Sequence, residues 1–253
     1  MHSLRLTSRD RLALGPNMNG VVVEDMLFVE VKDQSYHGNP DYQGSCGLGF
    51  GDGEATGTAS FMRTLIQQGR LEQPLVGVSF DSRHKISTVT VGGVDGSKFK
   101  GPIEYVDVIQ DTSQSWHVPL EEIRIGDQAI PISSNQAAFI DGDFGCIIGP
   151  DDQISAIADA LGADTFVLPC NDPLPNLSFR VGGVNLTLTK DQYLRHTEGI
   201  CTLNLCMSSA PTNWSISMGM FRGVYIVLDY GETRGQERVG FAPAHIDITR
   251  AIY

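Results

Sequence analysis

Residues 138–150 read AFIDGDFGCIIGP, an apolar run interrupted by Asp141-Gly142-Asp143-Phe144-Gly145 and closed by Gly149-Pro150. Apolar residues on both sides of an Asp-Gly turn give strand, turn, strand. Pro150, Asp151 and Asp152 then open a helix, in which Ile154, Ile157, Ala158 and Leu161 recur at i, i+3, i+4 and i+7 before Gly162 stops it. The same layout occurs earlier. Gly47-Leu48-Gly49-Phe50 is followed by Ala59 to Gln68, with Phe61, Met62, Leu65 and Ile66 on one face and Gly69 as the stop. The repeat implies two related halves, joined near GGVDGSKFKG (92–101).

Outward from this segment the chain reads as short strands. Val21 to Val23, Met26 to Val29, Ile86 to Val91, Ile103 to Val108, Ile123 to Ile125, Phe179 to Val181, Leu186 to Leu188 and Val224 to Leu228 are mostly bounded by Gly, Asp, Asn or Pro. Gly182-Gly183 reads as a hairpin turn. The expected class is all-β with two or three short helices.

The 253 residues suit one large or two small domains, and 41% hydrophobic with 19% charged residues excludes wholesale disorder. The longest apolar run, Val224 to Leu228, is five residues, so no membrane span is expected. Thirty acidic against eighteen basic residues give a net charge of −12, which argues against nucleic acid as a partner. The five cysteines (Cys46, Cys146, Cys170, Cys201, Cys206) include no CxxC pair, and the six histidines show no ligand spacing, so no metal is expected. MHSLRLTSRDRLALG (1–15) has no continuous apolar core, is not read as a secretory signal, and reads as a first strand. The expected location is cytoplasmic, or secreted if the N-terminus is a truncation. In the cytoplasm the sequons at Asn176, Asn185 and Asn213 carry no meaning.

Taken in order, the motifs resemble those of the pepsin-like aspartic peptidases over nearly the whole chain. QGSCGLGFGDG (43–53) is similar to the family's DGILGLG turn, and VGGVDGSKFKGPIEYVDV (91–108) to its crossover between lobes. WHVPLEEIRIGDQAI (116–130) resembles the strand pair opening the second lobe, and AFIDGDFGCIIGP falls where the second D-T-G-T-S motif belongs. WSISMGMFRGVYIVLD (214–229) and VGFAPA (239–244) resemble the W-I-L-G-D segment and the closing strand. The resemblance implies a bilobal fold. Residues 1–100 form an incomplete N-terminal lobe (flap end, GLGFG turn, one helix), and residues 101–253 a C-terminal lobe. It also places Cys170 and Cys201 as the second-lobe disulfide pair. The missing opening strands leave a sheet edge to be covered by residues 1–14 or by a second copy of the chain.

The departures bear on chemistry. The first D-T-G and the flap tyrosine have no counterpart, and GPNMNG (15–20) is altered. Gly142 and Asp143 replace Thr and Gly, and Ser215-Ile216-Ser217 replaces an apolar-apolar-Gly stretch. Peptide hydrolysis in this family needs two carboxylates sharing one proton, and one carboxylate cannot divide both roles. Asp141, eight residues before Gly149, is the equivalent of the second catalytic aspartate. A second register, in which Asp143-Phe144-Gly145 preserves D-x-G, needs a two-residue shortening before Gly149 and stays open, as does the reading of both as solvated turn aspartates. Asp111-Thr112-Ser113 reads as a surface turn, and Cys146 as a buried thiol rather than a nucleophile.

The expected function is non-proteolytic: Asp141 or Asp143 as a lone acid or base in isomerisation or cyclisation of a small apolar metabolite. No cofactor is implied. The expected pocket is the interlobe cleft, walled by Asn17, Met18, Asn19, Leu48, Phe144, Ser215, Ser217 and Met218. The alternatives are an inactive pseudo-peptidase holding a peptide or protein, and a fragment of an active endopeptidase. A homodimer through the exposed sheet edge is one of the two ways, with residues 1–14, in which that edge is covered.

Overall fold

The computed structural model describes residues 6–14, 21–30, 46–51, 60–81, 86–111, 113–142, 145–197, 199–208, 213–218 and 222–245. It divides into two compact units, Met1–Pro74 with Val91–Gly93 and Asp111–Ser115, and Leu75–Thr90 with Val94–Gln110 and Trp116–Tyr253.

In the first unit β1 (Leu6–Leu14) pairs antiparallel with β2 (Val21–Glu30). The sequence suggests two strands within 21–29, but the chain makes one, bent by a bulge. Asp10 opposes Met26 while Leu12 opposes Val23, and Asp25 takes the left-handed φ of 54° that an extra residue requires. Ion pairs from Arg9 to Asp25 (2.5 Å) and Arg11 to Glu24 (3.2 Å) lie on this bulge. Helix α1 (Phe61–Gln67) is capped by Ser60 Oγ, which accepts from Arg63 N, and buries Phe61, Met62 and Leu65. Gln68 Nε2 donates to Glu24 O at 2.7 Å, tying the end of α1 to β2.

The second unit opens with β3 (Leu75–Asp81), β4 (Ile86–Val91) and β5 (Glu104–Asp107), which join two late strands, β17 (Val224–Asp229) and β18 (Arg238–Pro243). Their antiparallel sheet has the order β4-β3-β17-β18-β5. The expected lobe division at residues 100/101 therefore falls between strands of one sheet. At its centre Gly77 admits Tyr225, whose hydroxyl accepts from Asp95 N at 3.0 Å; a Cβ at residue 77 would meet that oxygen at 1.9 Å.

The larger sheet contains β6 (His117–Ile125), β7 (Gln128–Ile130), β8 (Gln136–Asp141), β9 (Ile147–Pro150), β11 (Leu177–Val181), β12 (Val184–Leu188), β15 (Leu205–Ser208) and β16 (Asn213–Ser217). Its order is β12-β11-β6-β8-β16-β9-β15, with β7 paired to β6. Strand β6 shows why the sequence reads so clearly: Val118, Leu120, Ile123 and Ile125 are buried, with a shift in the alternation at Glu121-Glu122. β11 and β12 meet at Gly182 and Gly183, whose φ values of 51° and 87° give the expected tight hairpin. Between these strands lie α2 (Asp151–Ala160) and β10 (Val167–Leu168). Helix α2 buries Ile154, Ile157 and Ala158, as its period predicts. A short helix, α3 (Lys190–Tyr193), precedes β13 (Leu194–Thr197) and β14 (Ile200–Leu203), which form a small sheet with β10. The strand-by-strand reading missed α3, though Thr189 and Gln192 make the reciprocal capping box their spacing encodes. Among the described residues no helix is long and apolar enough to cross a membrane.

Candidate functional site

Asp141 is the last residue of β8, and β16 runs parallel beside it with Ser217 opposite Asp141 and Ser215 opposite Phe139. Parallel pairing brings both altered segments of the sequence to one place. Ser215 Oγ donates to Asp141 Oδ2 at 2.9 Å. Asp141, Ser217 and Met218 are 5%, 3% and 5% exposed. A Cβ added at Gly142 would lie 3.0 Å from Met218 Cε, so Met218 sits over the first residue after the aspartate.

Behind this pair, Trp214 explains Gly149. A Cβ there would lie 2.6 Å from the indole, whose Nε1 donates to Gln153 Oε1 at 2.9 Å in α2. Strand, ring and helix thus fix the backbone from which Asp141 projects. Phe179 meets Trp214 edge-on at 5.6 Å between ring centroids.

The sequence reading of Cys146 as a buried thiol is corrected: it is disulfide-bonded to Cys206, with Cα atoms 6.1 Å apart. In the parallel ladder of β9 and β15 Leu205 faces Ile147 and Cys206 faces Ile148, so Cys206 lies diagonally across from Cys146, the residue before β9. Sixty residues separate them, so no local spacing betrays the pair. Asn204 Nδ2 adds a 2.7 Å bond to Gly145 O. The far end of the Asp141 loop is therefore anchored twice. Cys170 and Cys201 form a second disulfide, Cα to Cα 5.2 Å, and Cys46 is a free, exposed thiol.

His196 Nδ1 lies 3.1 Å from Cys201 Sγ, and the ligand atoms of Cys170, His196 and Cys201 fall within 4.8 Å of one another. Residues 170, 196 and 201 have no metal-ligand spacing along the chain. Both sulfurs are bonded to each other, so they offer no thiolate for a soft metal.

Beside the anchored loop lies a concavity of about 580 Å³, lined in part by Gly145, Cys146, Asn204, Arg195, His196 and Arg222. Its volume is that of a small-ligand site. Neither Arg195 nor Arg222 has an ion-pair partner among the described residues.

Of the expected site residues, Asp141, Ser215, Ser217 and Met218 come together. Leu48 is half-buried in the first unit. Asp143, Phe144, Asn17, Met18 and Asn19 lie outside the described residues. Asp111 is a turn residue, as read: its Oδ1 accepts from Ser113 N at 2.8 Å and Ser113 Oγ at 2.5 Å.

A sequence model described as "eukaryotic aspartyl protease" matches residues 15–244. Gastricsin of Macaca fuscata fuscata is 29% identical over 218 residues, covering 80% of this chain and 56% of its own. Pepsin A of Sus scrofa is 27% identical over 214 residues, covering 80% and 54%. Cathepsin E of Mus musculus is 27% identical over 249 residues, covering 90% and 61%. The chain thus spans little more than half the length of these curated relatives.

Proposed function

The chain belongs to the eukaryotic aspartyl protease family, and from that membership we propose that these 253 residues form a ligand-binding unit with one working carboxylate that does not hydrolyse peptides by itself. The observation that carries this reading is the Asp141–Ser215 bond, in which a hydroxyl engages the aspartate at 2.9 Å. Peptide hydrolysis needs two carboxylates to split acid and base roles. The chain's single D-T-S triplet, 111–113, does not supply the second carboxylate, since Asp111 is exposed and bonded to Ser113.

A lone carboxylate can still relay one proton, which suffices for isomerisation or ring closure of a small apolar metabolite held in one conformer. Buried Met218 beside Asp141, with the Ser215 hydroxyl as a polar handle, suits such a ligand. The second reading, a pseudo-peptidase that holds a peptide, is favoured by the concavity beside the Asp141 loop, where Arg195 and Arg222 have no ion-pair partner among the described residues and would receive acidic side chains. The two disulfides argue for residence in an oxidising compartment instead of the cytoplasm.

Purified chain is incubated with acid-denatured protein from pH 2 to 7, with and without pepstatin. No pepstatin-sensitive cleavage is expected. Cleavage abolished by Asp141→Asn would overturn the reading, and would mean that the chain completes a dyad.

A further inference from the structure

Two of the three sequons lie on one hairpin. Asn176-Leu177-Ser178 leads into and occupies the start of β11, and Asn185-Leu186-Thr187 lies within β12. Strand alternation sends the middle residue of each inward: Leu177 is 0% exposed and Leu186 1%. The asparagines are exposed, and the two sequon hydroxyls meet across the strands, with Ser178 Oγ 3.2 Å from Thr187 Oγ1. Arg180, opposite Asn185, completes this solvent face and pairs with Glu121 at 3.0 Å. Nothing apolar is presented there that a bulky hydrophilic group would have to displace.

Strand β12 is also the end of its sheet, with one paired neighbour among the described residues. Among the described residues no strand pairs with its outer edge, and such an edge is a template for pairing with another chain. The third sequon, Asn213-Trp214-Ser215, differs. Its strand is flanked by β8 and β9, its tryptophan is fully buried, and its serine hydroxyl is committed to Asp141.

Compartment decides whether a sequon has meaning. The disulfides Cys146–Cys206 and Cys170–Cys201 require oxidising surroundings, the same lumen in which asparagine-linked glycans are added. We propose that Asn176 and Asn185 carry N-linked glycans that cover the β12 end of the sheet. In the transfer, the carboxamide Nδ2 attacks the anomeric carbon of a lipid-pyrophosphate-linked oligosaccharide. A C–N bond forms, the C–O bond to pyrophosphate breaks, Nδ2 loses one proton, and the lipid pyrophosphate leaves; no redox partner is needed.

The full chain is produced through the secretory route of a eukaryotic cell and its intact mass measured before and after peptide-N-glycosidase treatment. Two hexose- and N-acetylhexosamine-containing adducts are expected, both released by the enzyme. Asn176→Gln and Ser178→Ala should each remove one, and Asn185→Gln and Thr187→Ala the other. The alanine variants keep the asparagine, and the untreated wild type needs no variant to fold. A wild-type mass equal to that of the bare sequence overturns the proposal and leaves the two sequons as the polar face of a hairpin. Sedimentation velocity on the native, deglycosylated protein tests the covering role: a shift towards dimer supports it. An unchanged monomer overturns that role and leaves the site assignment standing.

Discussion

Ser215 donates its hydroxyl to Asp141 Oδ2 at 2.9 Å, across two neighbouring parallel strands and at the point where β8 gives way to the loop. Asp141 is 5% exposed, so the bond substitutes for lost water. Ser215→Ala is expected to cost about 1–3 kcal/mol, the range for leaving a buried acceptor under-satisfied. Urea denaturation of the two proteins measures it. Asp141→Asn keeps the shape and the hydroxyl contact and should cost less than Ser215→Ala; the reverse order would mean that the serine is incidental.

The two disulfides predict one free thiol, Cys46, in the unreduced protein. Non-reducing peptide mapping should return Cys146 linked to Cys206 and Cys170 linked to Cys201. Replacing Cys146 and Cys206 together by alanine should lower stability by about 2–4 kcal/mol, since the bridge closes a long loop in the unfolded chain. A count of three free thiols, with Cys146 and Cys206 among them, would return Cys146 to the buried-thiol reading.

Much of this fold is legible in the sequence, for local reasons. Alternation in β6, the apolar stripe of α2 and the glycine pair at 182–183 are each signals within ten residues. The Asp141 loop is legible by resemblance, because the apolar strands on either side retain their pattern while the loop loses its own. What escapes is set by strand order. β8, β16, β9 and β15 are neighbours in the sheet but dispersed over residues 136–217, so the Cys146–Cys206 bridge and the Ser215–Asp141 bond have no local trace. The α3 capping box was locally visible, and four residues are too few for a helical period to announce it.

Tyr193 gives the chain an alkaline limit. It is fully buried, donates to Pro175 O at 2.7 Å, and burial pushes its hydroxyl up to about 12, above the ordinary tyrosine value. The folded state holds the proton that the unfolded chain releases near pH 10. The stabilisation is therefore complete below pH 10 and is lost as pH rises through about 12. Denaturation midpoints measured across that range should fall in the wild type, and fall less steeply in Tyr193→Phe. Equal slopes would assign the alkaline loss to other tyrosines.

Gly142 stands where the resemblance expects a threonine, and its contact with Met218 bears on that replacement. A Cβ at residue 142 would stand 3.0 Å from Met218 Cε, and Met218 is only 5% exposed, so it has little room to withdraw. A threonine at 142, with two further heavy atoms, overfills the space. Gly142→Thr is expected to destabilise by about 1–3 kcal/mol, the usual cost of overpacking. Met218→Ala alone should also destabilise, by about 2–4 kcal/mol, through the cavity it leaves. The double variant is the decisive measurement. If the two positions share one volume, the threonine fills part of what the methionine vacates. The double variant is then more stable than the sum of the singles predicts, by at least about 0.5 kcal/mol. Additive losses in urea denaturation would show that Met218 yields freely, and that the two positions are independent.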